Sequence, residues 1–264
     1  MKVAIIGAGN MGGAIARGLA QGNTVKTSDI IVSNPSKGKL DVLKSEFPDI
    51  LTTTENEVAV REANLVILAV KPWYIEQVLS FIKLDPDTQV LVSVASGISF
   101  DRMAQCAGSE ITMFRVIPNT AISQLASMTL ITSRNASKEQ EELIINLFNE
   151  MGTTMLLSED KLDAATSLAS CGIAYVFKYI QAGMQAGVEM GIPPKDALKL
   201  VAQSAKGAAE ILLSCDTHPS IEIDKVTTPG GITIKGINEL DHGGFTSAVI
   251  KAMKASNPAP ASEG

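Results

Sequence analysis

The sequence is poor in histidine, cysteine, aromatic residues and concentrated charge. Its two histidines, His218 and His242, have no spacing suited to a shared ligand set, so no metal site is expected. Cys106, Cys171 and Cys215 are dispersed and contain no Cys-x-x-Cys pair, which argues against a disulfide framework and for a reducing, cytoplasmic setting. Lys and Arg number 22 against 28 Asp and Glu, a formal net charge of −6, with no basic run of five or more. A nucleic-acid partner needs clustered cations and is not expected. Long apolar runs are also missing. VAIIG near the amino end and SLASCGIAYVF between Asp163 and Lys178 are too short to span a bilayer. The first is too short for a signal peptide as well, so neither an export signal nor a membrane partner is expected.

What remains, over 264 residues with 45% hydrophobic and 19% charged positions, is an ordinary core-forming composition for one large or two modest domains. The first half alternates. Apolar runs at 2–7 (KVAIIG), 29–34, 65–70, 89–94, 111–116 and 127–132 read as buried strands, and 11–21 and 35–47 as helices between them. Strand, helix, strand in that order predicts an α/β doubly wound parallel sheet with right-handed crossovers. Ser137-Lys138-Glu139-Gln140 is a capping box that opens a further helix ending at Gly152, and 153–157 can add a last strand. From Glu159 onward no strand is expected. One long helix is predicted over about 159–190, closed by Gly191, and a second from Pro194 to Ser214. Short helices follow at 220–226, 232–240 and 245–255, and the tail NPAPASEG reads as disordered. The boundary falls near Ser158, giving domains 1–158 and 159–264. The second domain is rich in small residues and poor in aromatics, a thin core alone, which favours helices shared between two copies.

Gly7-Ala8-Gly9-Asn10-Met11-Gly12 is G-x-G-x-x-G between a strand and a helix. Each glycine has a purpose there: a tight turn, backbone access for a pyrophosphate, and close helix–strand packing. A ligand-free turn explains one glycine more easily than three. The second strand ends Val32-Ser33-Asn34-Pro35-Ser36-Lys37 without the carboxylate that would bind the ribose 2′-hydroxyl of NAD. Ser33, Asn34 and Ser36 can donate to a 2′-phosphate and Lys37 adds charge, so NADP(H) is preferred, with NAD(H) as the alternative. The same residues would also serve as plain turn formers. Later strands end in Ala69-Val70-Lys71-Pro72, Ala95-Ser96-Gly97-Ile98 and Ile117-Pro118-Asn119-Thr120, which suggests a nicotinamide pocket at one rim. Lys71 is read as positioning cofactor or pairing with a carboxylate in preference to a catalytic role.

The stretch 227–236, TTPGGITIKG, is a hydroxyl-bearing, glycine-rich turn before a helix. Locally it fits two readings: a Thr228 N-cap with proline at the first helical position, or a loop that grips an anion at a helix start.

VAIIGAGNMGGAI, VKP at 70–72, PNT at 118–120 and TTPGGITIKGINEL at 227–240 together resemble the pyrroline-5-carboxylate reductases, in order and over nearly the whole chain. The resemblance implies a Rossmann domain followed by an all-α dimerisation domain. It implies NAD(P)H-dependent reduction of a cyclic imine carboxylate to L-proline, and a homodimer through the C-terminal helices that in several members assembles as five dimers. It places the cofactor on Ile6, Gly7, Ala8, Gly9, Asn10 and Met11, the 2′-phosphate at Ser33–Lys37, and the adenosine side at Asn56. Ala69, Val70, Lys71, Pro72, Ala95, Ser96 and Gly97 fall on the nicotinamide side, and Asn119 is grouped with them. Substrate falls on Thr228, Gly230, Gly231 and Ile232, with Thr233 addressing the ring nitrogen as the catalytic residue. The chain departs from the family pattern at Cys171, Ile173 and Thr246, where G-S-G-P-A-Y and G-F-R are common.

A protonated imine is already electrophilic, so the reaction asks for positioning and directed hydrogen bonds rather than a strong acid. Two other readings stay open: a β-hydroxyacid dehydrogenase, for which Lys178 and Lys206 would be the catalytic candidates, and an NADP-binding redox sensor without turnover.

Overall fold

The computed structural model describes residues 1–257; most of the tail expected to be disordered lies outside the described residues. By its internal contacts the chain divides into two compact units, Met1–Ser170 and Cys171–Gly264.

The first unit runs β1 (Val3–Ile6), α1 (Asn10–Gln21), β2 (Ile30–Ser33), α2 (Lys37–Glu46), β3 (Leu51–Thr53), α3 (Asn56–Val60), β4 (Leu65–Leu68), α4 (Ile75–Phe81), β5 (Val90–Ser93), α5 (Phe100–Ala107), β6 (Thr112–Ile117), β7 (Ser127–Arg134), α6 (Lys138–Asn149), β8 (Gly152–Leu156) and α7 (Glu159–Thr166). The strands form one sheet in the order β3-β2-β1-β4-β5-β6-β7-β8. The order reverses beside β1, with β2 on one flank and β4 on the other, which is where a doubly wound sheet opens a crevice at its carboxyl edge.

Period-2 alternation explains both faces. Val3 and Ile5 pack with Ile15 and Leu19 of α1, Leu40 and Leu43 of α2, and Leu147 and Phe148 of α6. Ala4 and Ile6 point the other way, to Val60 of α3, Ile75 and Leu79 of α4, and Phe100 and Met103 of α5. Both faces are covered, so β1 and β4 are continuous apolar runs.

Two expectations need correction. The sheet is not wholly parallel: β6 and β7 pair antiparallel, with Arg115 opposite Thr132. Only a short 3₁₀ turn at Thr120–Gln124 joins them, too little chain for a parallel crossover. The expected long helix at 159–190 is also interrupted, by a π-helical segment at Ser167–Cys171. The hydroxyls of Thr166 and Ser167 donate back to the carbonyls of Leu162 and Asp163 just before it, a competition known to disturb helices. The capping box forms: the Ser137 N–H donates to Gln140 Oε1 at 2.8 Å and the Gln140 N–H donates to Ser137 Oγ at 3.3 Å.

The second unit contains α8 (Gly172–Glu189), α9 (Pro194–Ser214), α10 (Pro219–Lys225), α11 (Ile232–His242) and α12 (Phe245–Ala255), with no strand among the described residues. Small residues set the approach of α8 and α9. A Cβ at Gly187 would sit 2.7 Å from the Ala197 Cβ, and one at Gly183 would sit 2.9 Å from a Val201 methyl. The Tyr175 hydroxyl donates to the Ala252 carbonyl at 3.2 Å, tying α8 to α12. Among the described residues only Gly172, Gly187 and Ala197 of this unit are buried. Large apolar side chains stay open, with Phe177 59% and Leu213 88% exposed. A helical layer this apolar and this uncovered is built to be buried against another surface.

Candidate functional site

A cleft of about 950 Å³ opens beside the carboxyl ends of β1, β2, β4 and β5. Thirteen residues singled out from the sequence line it: Ile6, Gly7, Gly9, Asn10, Met11, Asn34, Asn56, Ala69, Val70, Lys71, Pro72, Ala95 and Ser96. Ala8, Gly12, Ser33, Ser36, Lys37, Gly97 and Asn119 are not among its lining residues. Pro35, inside the Ser33–Lys37 turn, lines the cleft too, and the lining residues that sequence reasoning missed are Lys39, Tyr74, Gln77, Val78, Phe81 and Val94. Tyr74–Phe81 belongs to a segment without a motif, and only its position after the third apolar strand signals that it faces the same crevice.

The three motif glycines differ in what they do. Gly7 has φ +106°, and a Cβ there would lie 2.7 Å from the Ala69 carbonyl oxygen. A Cβ at Gly12 would lie 1.9 Å from the Gly7 carbonyl oxygen. Both are required by the fold. Gly9 is different: its backbone is ordinary extended chain at the start of α1, with φ −70°, and a Cβ would meet nothing within 4 Å. Nothing in the protein demands a glycine at this point on the cleft wall. Open backbone N–H groups at the start of a twelve-residue helix, reached over a residue with no side chain, fit a pyrophosphate.

The turn after β2 is held by side-chain hydrogen bonds. The Ala8 N–H donates to Asn34 Oδ1 at 3.1 Å. Asn34 Nδ2 donates to the Ser36 carbonyl at 2.9 Å and to the Ser36 hydroxyl at 3.0 Å. Ser33, fully buried, donates its hydroxyl to Asn56 Oδ1 at 2.7 Å. Asn119 is 8% exposed; its Oδ1 accepts from the Ala121 N–H at 3.0 Å and its Nδ2 donates to the Ala169 carbonyl at 3.3 Å. These bonds occupy Ser33 and Asn119 within the protein and leave them off the cleft wall.

Arg17 of α1 reaches Glu46 of α2 with two hydrogen bonds, Nε to Oε2 at 2.5 Å and Nη2 to Oε1 at 3.1 Å. The Arg17 hydrogen bond holds the Glu46 carboxyl below the ordinary glutamate range. The pair fixes the helix that follows the glycine turn against the helix that follows β2.

In the second unit, Thr228-Pro229-Gly230-Gly231 forms a turn. Gly230 has φ +73°, and the Gly231 N–H donates to the Thr228 carbonyl at 2.9 Å, the pattern of a type II turn with proline second and glycine third. A Cβ at Gly231 would lie 2.5 Å from the Thr228 hydroxyl oxygen. Helix α11 is capped at Gly231 with no side-chain hydrogen bond, so Thr228 is not its N-cap and Pro229 is not its first residue. Thr233 is the second residue of α11. Thr228, Ile232 and Thr233 are exposed, and no hydrogen bond to the side-chain hydroxyl of Thr228 or Thr233 occurs among the described residues.

Among the described residues no three His, Cys, Asp or Glu side chains gather as a metal ion would need. No helix there is long and apolar enough to cross a membrane.

Known proteins decide between the readings. Residues 159–259 match the sequence-family model described as pyrroline-5-carboxylate reductase dimerisation, and residues 2–97 match the one described as NADP oxidoreductase coenzyme F420-dependent. The Dictyostelium discoideum protein pyrroline-5-carboxylate reductase 2 is 35% identical over 96% of this chain and 89% of its own. The chain belongs to the pyrroline-5-carboxylate reductase family. Pyrroline-5-carboxylate reductase 1 of the same organism is 36% identical over 98% of this chain, which spans about half (49%) of that protein. The Escherichia coli K12 reductase is 35% identical over 96% of this chain and 94% of its own.

Two solved reductases share the fold. That of Plasmodium falciparum, a structure with NADP bound, superposes with a TM-score of 0.88 at 28% identity over 97% of this chain and 95% of that one. That of Streptococcus pyogenes gives 0.87 at 32% identity over 97% and 96%. The fold class is therefore the Rossmann-type sheet followed by an all-α dimerisation domain. The chain is an NADP-binding oxidoreductase of proline biosynthesis that reduces pyrroline-5-carboxylate, and it works as an oligomer on a small-molecule substrate.

Proposed function

We propose that this reductase converts 1-pyrroline-5-carboxylate to L-proline with NADPH in preference to NADH, binding the nucleotide in the cleft lined by Gly9 and the imine acid on the 228–233 turn. Gly9 carries the nucleotide part of this reading. It faces the cleft, has no steric neighbour within 4 Å, and takes a backbone geometry open to any residue, so its missing side chain serves a ligand.

When bound, the nicotinamide supplies the hydride. The chain supplies binding and aim. Ile6, Gly7, Gly9, Asn10 and Met11 form the phosphate wall, and Asn56 lies on the adenosine side. Val70, Lys71, Ala95 and Ser96 form the rim toward the reacting ring. On the second unit, the Gly230 N–H and the free first-turn N–H groups of α11 are offered to an anion, while the Gly231 N–H is held by the Thr228 carbonyl. The Thr228 hydroxyl donates to the same carboxylate. Thr233, in the first turn, addresses the ring nitrogen and fixes the imine's orientation; this contact is worth about 1.5–3 kcal/mol as a hydrogen bond to a charged group.

The hydroxyacid dehydrogenase reading loses support. Lys178 is hydrogen-bonded to Gln181 at 3.0 Å and Lys206 is paired with Glu210 at 3.5 Å, its side chain 67% exposed. Both ammonium groups are engaged by neighbours on their own helices.

The assembly is a homodimer through α8–α12, with a decamer of five dimers as the larger particle that the family resemblance allows. The open apolar helices support the first part, and the family resemblance supports both. Domain limits of 1–158 and 159–264 follow the start of the dimerisation match, although Leu162 of α7 packs with Ile117 and Leu130 of the sheet. The location is cytoplasmic, a reading supported by the odd, dispersed set Cys106, Cys171 and Cys215. Purified protein mixed with NADPH and 1-pyrroline-5-carboxylate should oxidise the nucleotide and accumulate L-proline. Turnover with a hydroxyacid and none with the imine would overturn the reading.

A further inference from the structure

We propose that Lys39, rather than the Ser33–Lys37 turn, reads the 2′-phosphate of NADP(H) and sets the preference for it over NAD(H). This rests on the nucleotide reading of the cleft given above.

Hydrogen-bond accounting removes two of the residues that the sequence nominates, Ser33 and Asn34, and position removes the other two. Ser33 is fully buried and its only hydroxyl proton goes to Asn56 at 2.7 Å. Asn34 lines the cleft, but Nδ2 makes two bonds to Ser36 and Oδ1 takes the Ala8 N–H. An amide carries two donor hydrogens, so Asn34 has none left for a ligand. Ser36 and Lys37 do not line the cleft.

The geometry of α2 explains why Lys37 is absent from the wall and Lys39 is on it. The helix begins at Lys37, and its apolar face, Leu40 and Leu43, enters the core. Residues two apart on a helix point to nearly opposite sides, so a helix that presents position 39 to the cleft turns position 37 away from it. Lys39 lines the cleft together with Asn34, Pro35 and Asn56. It makes no salt bridge among the described residues.

Asn56 completes the pair. Its Oδ1 is taken by Ser33, which orients Nδ2 as the remaining neutral donor of a residue on the cleft wall. One cation and one amide suit a phosphate monoester, which carries close to two negative charges at neutral pH. They offer no carboxylate of the kind that holds a pair of ribose hydroxyls. Ser33 and Asn34 are then positioning residues that hold the wall, and Lys39 is the residue that discriminates.

The test is equilibrium titration of the full-length protein with NADPH and with NADH, read by nucleotide fluorescence. Lys39→Met should weaken NADPH by about tenfold and leave NADH within about twofold, and Lys39→Arg should restore most of the ratio. NADPH binding by the wild type should also weaken more steeply with added salt than NADH binding does. An unchanged NADPH/NADH ratio in Lys39→Met would overturn the assignment. So would the same loss from Lys37→Met with Lys39→Met silent. Wild-type protein that binds neither nucleotide would instead overturn the cofactor reading of the cleft, an outcome that no Lys39 variant can mimic.

Discussion

The Ala8 N–H donates to the side-chain oxygen of Asn34 at 3.1 Å. This one bond joins the glycine turn after β1 to the turn after β2, the two segments that would hold the pyrophosphate and the adenosine ribose. Asn34 also braces Ser36, so a single side chain sets the spacing of both.

Asn34→Ala should therefore weaken NADPH and NADH together. The buried Ala8 N–H loses its partner, which costs about 1–3 kcal/mol unless the nucleotide or water replaces it. Equilibrium titration should show both affinities reduced on the order of tenfold with their ratio kept. A change confined to NADPH would make Asn34 a direct 2′-phosphate contact.

Gly9→Ala and Gly12→Ala should separate binding from stability. An added methyl at Gly12 has to displace the Gly7 carbonyl, so Gly12→Ala should cost about 1–3 kcal/mol or more in denaturant unfolding. Gly9→Ala meets nothing within 4 Å and should be neutral or stabilising by about 0.4–1 kcal/mol. It should nevertheless reduce nucleotide affinity on the order of tenfold or more, since the methyl occupies the wall where the pyrophosphate must approach. A destabilised Gly9→Ala with normal binding would contradict that role.

The core of the first unit was readable because buried parallel strands are runs of apolar residues, and Val3–Ile6 and Leu65–Leu68 are such runs. The parts that were not readable have physical causes. Leu51–Thr53 is a three-residue, partly exposed edge strand, too short for a period to register. The antiparallel turn of β7 depends on the length of a loop rather than on the strand's own residues. At the site, Gly7 and Gly12 of the G-x-G-x-x-G spacing fix the turn through steric contacts that only glycine permits. Lys39 was missed because the end of β2 invites attention to its nearest polar residues. Which of them are consumed by Asn56, Ser36 and Ala8 is a matter of tertiary hydrogen bonding that no local pattern encodes. The TTPGG turn was legible as a turn, but the Thr228 N-cap reading fails, because α11 starts only at Ile232 with Gly231 as its cap.

Glu46 gives a pH-dependent contribution whose sign follows from its partner. Arg17 holds its folded-state carboxyl below the ordinary glutamate range. The pair therefore favours the folded state at neutral pH, and the gain disappears as pH falls through the folded-state value. Side-chain carboxyl titration by NMR should place Glu46 below the ordinary glutamate range, and Arg17→Met should return it to that range. An unshifted Glu46 in the wild type would show that the pair does not persist in solution.

The helical unit should not be stable alone. Phe177, Leu213 and Ile232 are among the side chains it leaves open, and the family to which it belongs is defined in part by dimerisation. Sedimentation should give at least a dimer at micromolar concentration, and the unfolding temperature should rise with protein concentration. A monomer with a concentration-independent transition would refute the expected assembly.

The most direct measurement follows NADPH consumption and L-proline formation together, with 1-pyrroline-5-carboxylate as substrate, for the wild type and Thr233→Ala. We expect L-proline and oxidised nucleotide to appear in equal amounts in the wild type. Thr233→Ala should lower kcat by about ten- to a hundredfold while NADPH affinity stays near normal. Nucleotide oxidation without L-proline, or a Thr233→Ala variant that loses NADPH binding and keeps its kcat, would contradict the assignment of reaction and residue alike.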